Sequence, residues 1–185
     1  MKIKTICFIG HRDFEISDEN YEKLKDFFED LIVSKNVQIF LFGSHSNFDF
    51  ICHKIVTELK EKYTFIQRKC YTSKSETCIL ESEREHWEEI YSEFRKRKVR
   101  LLGVEEEVEH KTKWIAGRAS YVERNQAMIN DSDLCIFYYD ESYKPQERKY
   151  SKRSFSTYIP KSGTALAYNY AKKKKKEIIN LYLKL

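Results

Sequence analysis

Strand-like and helix-like segments alternate along this chain, and that alternation limits its fold more than any other feature of the sequence. The first strand-like run, Ile3 to Ile9, ends at Gly10, and the second, Val37 to Phe42, ends at Gly43. Between them, Ser17 and the acidic residues after it predict the start of a helix whose apolar side chains recur about every 3.6 residues. Strands separated by amphipathic helices are typical of a parallel sheet with helical crossovers. We therefore predict an α/β fold: a Rossmann-like three-layer sandwich with a mainly parallel central sheet and helices on both faces.

The same alternation continues to the end of the chain. A helix with a buried face from Phe48 to Leu59 precedes a third strand-like run. Leu134 to Tyr139 is the clearest strand of the second half, because its side chains are almost all apolar. The remaining predicted elements are a strand at Phe65 to Tyr71, a helix at Gly117 to Asn130, a helix at Ser162 to Lys174 and a closing strand at Ile178 to Leu183.

Two segments do not follow this pattern. The region 76–114 begins with a highly charged stretch, Glu76 to Lys98, which reads as a long exposed helix, and then loses any clear period. The region 141–160 includes Tyr143 to Tyr158, which has no apolar period and contains Pro145, so it is expected to be a flexible surface loop. A chain of 185 residues suits one domain. We predict a single domain, 1–185, with a charged helical insertion around 76–114 and a loop around 141–160.

Composition narrows the class of protein and its location. The 34 basic and 29 acidic residues give a net charge of only +5, which does not argue for nucleic acid as a partner. The five cysteines are an odd number without a C-x-x-C pair, which favours reduced, buried thiols. No apolar stretch approaches the roughly 18 residues of a membrane span, and no signal-peptide pattern opens the chain. A cytoplasmic protein with no membrane partner is expected.

Glycine and small polar residues lie at three junctions between the predicted elements. They are Gly10-His11-Arg12 after the first strand, Gly43-Ser44-His45 with Asp49 after the second, and Ser162-Gly163-Thr164 before the last helix. Ligands of open parallel sheets bind at the carboxyl ends of strands, and a phosphate at a helix start needs close approach to backbone N–H groups. These residues are therefore candidate ligand contacts. The alternative is that they are ordinary tight turns with helix caps.

Several of these motifs resemble the SLOG superfamily, the Rossmann-like domains of DprA and of LOG-type phosphoribohydrolases, over most of the chain. Ile6 to Arg12 is similar to the strand and turn that open its bacterial Gly-His-Arg branch, and Gly43-Ser44 with Asp49 is similar to its glycine turn. Glu123-Arg124-Asn125, continuing to Met128 and Ser132-Asp133, resembles the phosphoribohydrolase E-R-K-x-x-M…S-D-A block. The resemblance implies that Arg124 occupies the catalytic arginine position and that Gly163-Thr164 holds a ligand phosphate.

The departures from that pattern favour binding over catalysis. Ala167 stands where the phosphoribohydrolases have a glutamate, and Lys161-Ser162 replaces the residues before Gly163. Our first hypothesis is therefore a module that binds or senses a nucleotide or an NAD- or ADP-ribose-like derivative. The alternatives are an N-glycosidic-bond hydrolase or transferase with Arg124 and a carboxylate such as Asp49 or Glu123 as catalytic residues, and single-stranded DNA binding of the DprA type. Nucleic acid is the less favoured partner.

Other readings of individual residues remain open at this stage. Arg124 is also compatible with a surface helix arginine, and Asp49 either contacts a ribose or caps the second helix. His11, His45 and His53 lack the spacing of a metal site, so no metal and no cofactor is predicted. Lys144 to Arg153 is either a lid over an anionic ligand or an unstructured insertion. The resemblance also suggests a homodimer.

Overall fold

The structure is a computed structural model that describes residues 3–43, 46–73, 106–110, 118–150 and 155–183. Its strands are β1 (Thr5–Gly10), β2 (Ile39–Phe42), β3 (Gln67–Ser73), β4 (Glu106–His110), β5 (Leu134–Tyr138), β6 (Arg148–Lys149), β7 (Thr157–Tyr158) and β8 (Glu177–Asn180). Its helices are α1 (Asp18–Lys35), α2 (Asn47–Lys62), α3 (Arg118–Asn130) and α4 (Gly163–Lys173), and a short 3₁₀ helix (Leu181–Leu183) follows β8.

Six of these strands form one sheet in the order β4-β3-β2-β1-β5-β8, and every neighbouring pair is parallel. From β1 the chain builds outward in one direction through β2, β3 and β4, and then returns to the other side of β1 with β5 and β8. The strand order therefore reverses between β1 and β5, which is the position where doubly wound sheets bind ligands. The predicted α/β, Rossmann-like class is confirmed.

The core lies on both faces of this sheet, as the alternation of side chains along β1 illustrates. Ile6 and Phe8 pack with α1 and α2 in one cluster, whereas Cys7 and Ile9 pack with α3 and α4 in the other. The first cluster is aromatic-rich. The second holds its helices close to the sheet with small side chains, including those of Ala127, Ala167 and Ala171. The four cysteines that the structure describes, Cys7, Cys52, Cys70 and Cys135, are buried and free, as the sequence predicted.

Local capping sets the ends of the first helix. The side chain of Ser17 accepts a hydrogen bond from the Asn20 N–H at 3.3 Å, and Asp18 and Glu19 follow in the first turn, where carboxylates favour the helix dipole. The helix ends at Asn36, whose φ of 56° is left-handed and stops further helical hydrogen bonding. Among the described helices, none is both long and apolar enough to cross a membrane.

The structure differs from the sequence-based expectation in three places. Within the predicted helical insertion 76–114, Glu106–His110 is a strand paired with β3, because backbone pairing at the sheet edge outweighs the weak strand preference of glutamate. The predicted exposed helix Glu76 to Lys98 lies outside the described residues. The loop 141–160 contains the short antiparallel pair β6 and β7. The closing strand ends at Asn180, earlier than predicted, and gives way to the 3₁₀ helix.

Candidate functional site

The carboxyl ends of β2, β1 and β5 lie side by side, with a strand spacing of about 4.8 Å. Gly43 follows β2, His11 follows β1 and Tyr139 follows β5. Helices α2 and α4 begin at the same edge, since each follows a connection from the carboxyl end of a parallel strand. The topology thus brings the three glycine-containing segments that the sequence singled out to one edge of the sheet.

Gly10 is required by packing. A Cβ atom at Gly10 would lie 2.4 Å from Cγ of Phe48, the second residue of α2, which is closer than side chains tolerate. The missing side chain therefore lets α2 approach the end of β1. Arg12 has an exposed side chain, and its backbone carbonyl accepts a hydrogen bond from the Asn47 N–H at 3.2 Å. This bond ties the loop after β1 to the start of α2.

His11 joins the loops that follow β1 and β5. It is buried, and its Nε2 accepts a hydrogen bond from the Asp140 N–H at 3.0 Å, so this nitrogen is unprotonated. Its ring lies 4.1 Å, centroid to centroid, from the ring of Tyr143, whose hydroxyl donates to Asp13 at 3.2 Å. Burial lowers the pKa of His11 below its usual 6.5, and the nearby Asp140 and Asp13 act in the opposite direction. A neutral histidine thus links the loops after β1 and β5, at the position where the strand order reverses.

The start of α2 is occupied by its own carboxylate. Asp49 Oδ1 accepts a hydrogen bond from the Gly43 N–H at 3.3 Å, and Oδ2 accepts from the Ser46 hydroxyl at 2.7 Å and the Ser46 N–H at 3.4 Å. In return, the Ser46 hydroxyl accepts from the Asp49 N–H at 2.9 Å, which completes a capping box. The predicted contacts Ser44 and His45 lie outside the described residues.

Arg124 reaches this helix start from the opposite face of the sheet. It lies on α3 with only 5% of its surface exposed. A Cβ atom at Gly43 would lie 3.0 Å from both Arg124 Nη2 and Asp49 Oδ2, so the guanidinium and the carboxylate meet over this glycine. The Arg124 guanidinium also donates to Asn125 Oδ1 at 3.2 Å and lies 5.3 Å from the Tyr121 ring. The structure brings Gly43, Asp49, Arg124 and Asn125 together.

The electrostatics of this cluster follow from its burial. Burial raises the pKa of the Asp49 carboxyl above its usual value, while the Arg124 guanidinium and the hydrogen bonds from Ser46 and Gly43 lower it. The effect of burial is the largest, so the pKa of Asp49 stays above its usual value. Arg124 thus supplies the positive charge that makes a buried carboxylate at this position tolerable.

The start of α4 has the same kind of cap but a different environment. The Ser162 hydroxyl accepts a hydrogen bond from the Ala165 N–H at 2.9 Å. A Cβ atom at Gly163 would have no neighbouring atom within 4 Å, so the first residue of this helix faces open space. Helix geometry leaves the N–H groups of Gly163 and Thr164 without partners inside the helix. The side chain of Thr164 itself is buried. This helix start is sterically and electrostatically ready for an anion.

The tyrosines at and after the end of β5 cluster around His11, with the ring centroids of Tyr138, Tyr139 and Tyr143 at 6.5, 6.0 and 4.1 Å from its own. Tyr138 packs against Phe14, with ring centroids 4.3 Å apart, and Tyr139 packs against Tyr168 at 4.6 Å. Tyr158 lies on the separate β6–β7 pair. His53, on α2, is buried and packs edge-on against Phe42 of β2, so it belongs to the core. Across the described ranges, no three potential metal ligands cluster.

The sequence analysis did not single out Asp140, whose N–H donates to His11. Asp140 directly follows the apolar run Leu134 to Tyr139, so its position at a strand end was a usable signal. Tyr121 was also missed, because a tyrosine one turn before an arginine is common on helices. No protein-family model matches the chain, and no curated protein matches it either. The chemistry of the site therefore has to be inferred from its own residues.

Proposed function

We propose that this protein binds a nucleotide or a nucleotide derivative of the NAD or ADP-ribose type at the carboxyl edge of its sheet, as a binding or sensing module of SLOG type. The observation that carries the proposal is the position of Arg124. This arginine is almost fully buried, and it is aimed at the end of β2 beside the switch point. Arginine is rarely buried, and a guanidinium at such an edge offers bidentate hydrogen bonds to phosphate.

The open start of α4 supports the same ligand class. Gly163 leaves room for a group to approach the backbone, and the positive end of the helix dipole favours a negative one. Arg124 and the α4 start lie at one edge of the sheet on elements that pack against each other. An elongated ligand with one or two phosphates and a ribose fits an edge with two separated positive positions.

Binding is favoured over glycosidic hydrolysis by the hydrogen bonds of Asp49 and by the burial of Ala167. Both oxygens of Asp49 accept hydrogen bonds from protein groups, so this carboxylate is engaged as a helix cap. Ala167, at the position of the phosphoribohydrolase glutamate, is buried in the core cluster of α3 and α4. Hydrolysis would need a carboxylate aimed at the ribose, and neither position provides one. Glu123, the other candidate, lies on α3 beside Arg124.

Single-stranded DNA binding of the DprA type is the weaker alternative. Such binding relies on successive aromatic rings along a basic groove. At this edge, Tyr138 and Tyr139 are instead packed against Phe14 and Tyr168. Both rings are therefore already in contact with other side chains of the protein.

The test compares two substitutions at Gly163 that have nearly the same size. Gly163→Glu and Gly163→Gln both extend into open space, and a glutamate in the first turn of a helix favours folding. Melting temperatures are measured with AMP, ADP-ribose, NAD and cyclic nucleotides, because a ligand that binds the folded state stabilises it by about 2.7 kcal/mol at a hundred times its Kd. We expect at least one nucleotide to stabilise the wild-type protein and the Gln variant more than the Glu variant.

Arg124→Lys provides the second arm, because it keeps the positive charge and removes the planar fork. It should weaken the binding of the same nucleotide by about tenfold, with each variant compared with its own unliganded melting temperature. Nucleobase release from the stabilising ligand would favour the hydrolase instead. If no nucleotide stabilises the wild-type protein at millimolar concentration, the proposed function is wrong.

A further inference from the structure

The β6–β7 pair exposes an unusual amount of apolar surface. We use "hairpin arm" for residues 148–150 and 155–159. Phe155 is 101% exposed, Tyr150 69%, Ile159 56% and Tyr158 37%. Within the described ranges, four of the seven exposed large hydrophobic side chains lie in this short segment. Isolated exposed hydrophobic residues are normal, but a concentration of them marks an interaction surface.

Cations accompany these side chains. Arg148 and Lys149 form β6, and both side chains are exposed. Lys144 and Lys161, also exposed, stand before and after the hairpin arm. Glu147 is the one acidic residue among the described residues of 144–161, and its carboxylate accepts a hydrogen bond from Thr157. The segment therefore presents a net positive charge.

The register of the two strands places charge and rings together. Arg148 pairs with Tyr158 across the antiparallel ladder, and paired residues share a face. The Tyr150 and Tyr158 rings are in contact, with centroids 4.8 Å apart and planes tilted by 33°. One face of the hairpin arm thus combines a guanidinium with two tyrosines, while Phe155 projects into solvent.

We propose that the hairpin arm docks on an anionic membrane surface. Phe155 and Ile159 enter the apolar boundary, the tyrosines lie at the level of the headgroups, and Arg148 and Lys149 contact anionic lipids. Each residue type matches its expected depth, because tyrosine prefers the interface, and each cation near such a surface adds attraction. The sequence predicted no membrane partner because the chain lacks a long apolar segment, but a surface contact needs no such segment.

The side chains favour lipid over single-stranded nucleic acid. Ile159 has no ring on which a base could stack, and Phe155 is fully exposed and has no ring contact among the described residues, unlike a stacking platform held by its neighbours. Transfer from water into the apolar boundary of a lipid layer is favourable for any apolar side chain. This proposal does not depend on the nucleotide-binding function.

The experiment is cosedimentation of the full chain with vesicles of phosphatidylcholine alone and of phosphatidylcholine containing about 30% phosphatidylglycerol. The wild-type protein should bind the anionic vesicles only. Phe155→Ser should reduce the partition coefficient by about tenfold, and the double variant Arg148→Ala, Lys149→Ala should reduce it at least as much. Phe65→Ser is the matched control: Phe65 is 52% exposed but precedes β3, which lies on the other side of β1 from β5 in the sheet.

The outcomes separate the proposal from its rivals. Loss of vesicle binding in the hairpin-arm variants, with unchanged melting temperatures and normal binding by Phe65→Ser, supports it. Absence of binding to anionic vesicles overturns it, and so does equal binding by Phe155→Ser. Binding of a fluorescent oligothymidylate of about 20 nucleotides, without vesicle binding, would assign the hairpin arm to nucleic acid instead. Nucleotide-induced stabilisation should be the same in the hairpin-arm variants and the wild type.

Discussion

The starts of α2 and α4 lie at the same edge of the sheet and are capped by serines in the same way, yet their environments are opposite. At α2, the Asp49 carboxylate occupies the helix start, and both this carboxylate and the Arg124 guanidinium lie close to Gly43. At α4, Ser162 takes one N–H group, and Gly163 faces open space. One helix start is filled by a side chain of the protein itself, whereas the other faces open space.

This difference shows that a glycine near a serine-capped helix start can have either of two structural roles. Gly43 is small because two charged side chains meet where its own side chain would be. Gly163 is small where no neighbour demands it, which is the pattern expected if a ligand is to approach the backbone. An anion therefore fits α4, whereas at α2 it would have to displace a carboxylate or share Arg124 with it.

The largest effect should come from removing the carboxylate of the closed helix start. Asp49→Ala takes away the acceptor for the Gly43 and Ser46 N–H groups and leaves the buried Arg124 without its facing carboxylate. We expect a loss of about 3 kcal/mol in the free energy of unfolding, as for other buried charge pairs that lose one partner. Ser162→Ala, which removes only a cap, should cost about 1 kcal/mol. Urea denaturation measures both, and equal losses would contradict the difference between the two helix starts.

A second pair of substitutions tests the steric part of the difference. Gly43→Ala puts a Cβ atom 3.0 Å from both Arg124 Nη2 and Asp49 Oδ2, so these groups must shift. Overpacking of this kind should lower stability by about 2 kcal/mol. Gly163→Ala meets no atom within 4 Å and should leave stability within about 0.5 kcal/mol of the wild type. The same denaturation series decides the matter, and a destabilised Gly163→Ala protein would show that the α4 start is also closed.

The smallest effect concerns the pH dependence of stability and His11, the residue that directly follows β1. Because burial lowers its pKa in the folded state, the unfolded chain takes up a proton first as the pH falls below 6.5. The stability that His11 contributes is thus complete above that pH and is lost below it, by no more than about 1.4 kcal/mol per pH unit. Between about pH 7.5 and pH 5.5, the melting temperature of the wild type should fall further than that of His11→Gln. Parallel curves for the two proteins would mean that His11 titrates normally.

Much of the fold could be predicted because its signals are local. The apolar runs that became β1, β2 and β5 are buried on both faces, so they are continuous in the sequence. Ser17, Ser46 and Ser162 mark helix starts by a hydrogen bond within one turn, which a short sequence window contains. The strand β4 escaped prediction because its pairing with β3 spans more than thirty residues, and nothing local in a glutamate-rich segment reports it.

The candidate site was predicted in its parts but not in their roles. Arg124 and Asp49 were both named, and the sequence left open whether Asp49 caps its helix or contacts a ligand. The structure shows the cap. That Arg124 meets Asp49 over Gly43 depends on α3 lying across the sheet from α2, a contact between residues 75 positions apart. The partnership of His11 with Tyr143 and Asp140 likewise spans the whole distance between β1 and β5.

The sequence by itself determined the α/β class, the positions of most strands and helices, and the chemical character of three strand ends, because hydrophobic period and capping act over a few residues. Only the tertiary structure decided which glycine is crowded and which is open, and it did so by bringing distant side chains to one edge. Strand order and crossover direction fix that edge, and both depend on long-range pairing that no short stretch of sequence specifies.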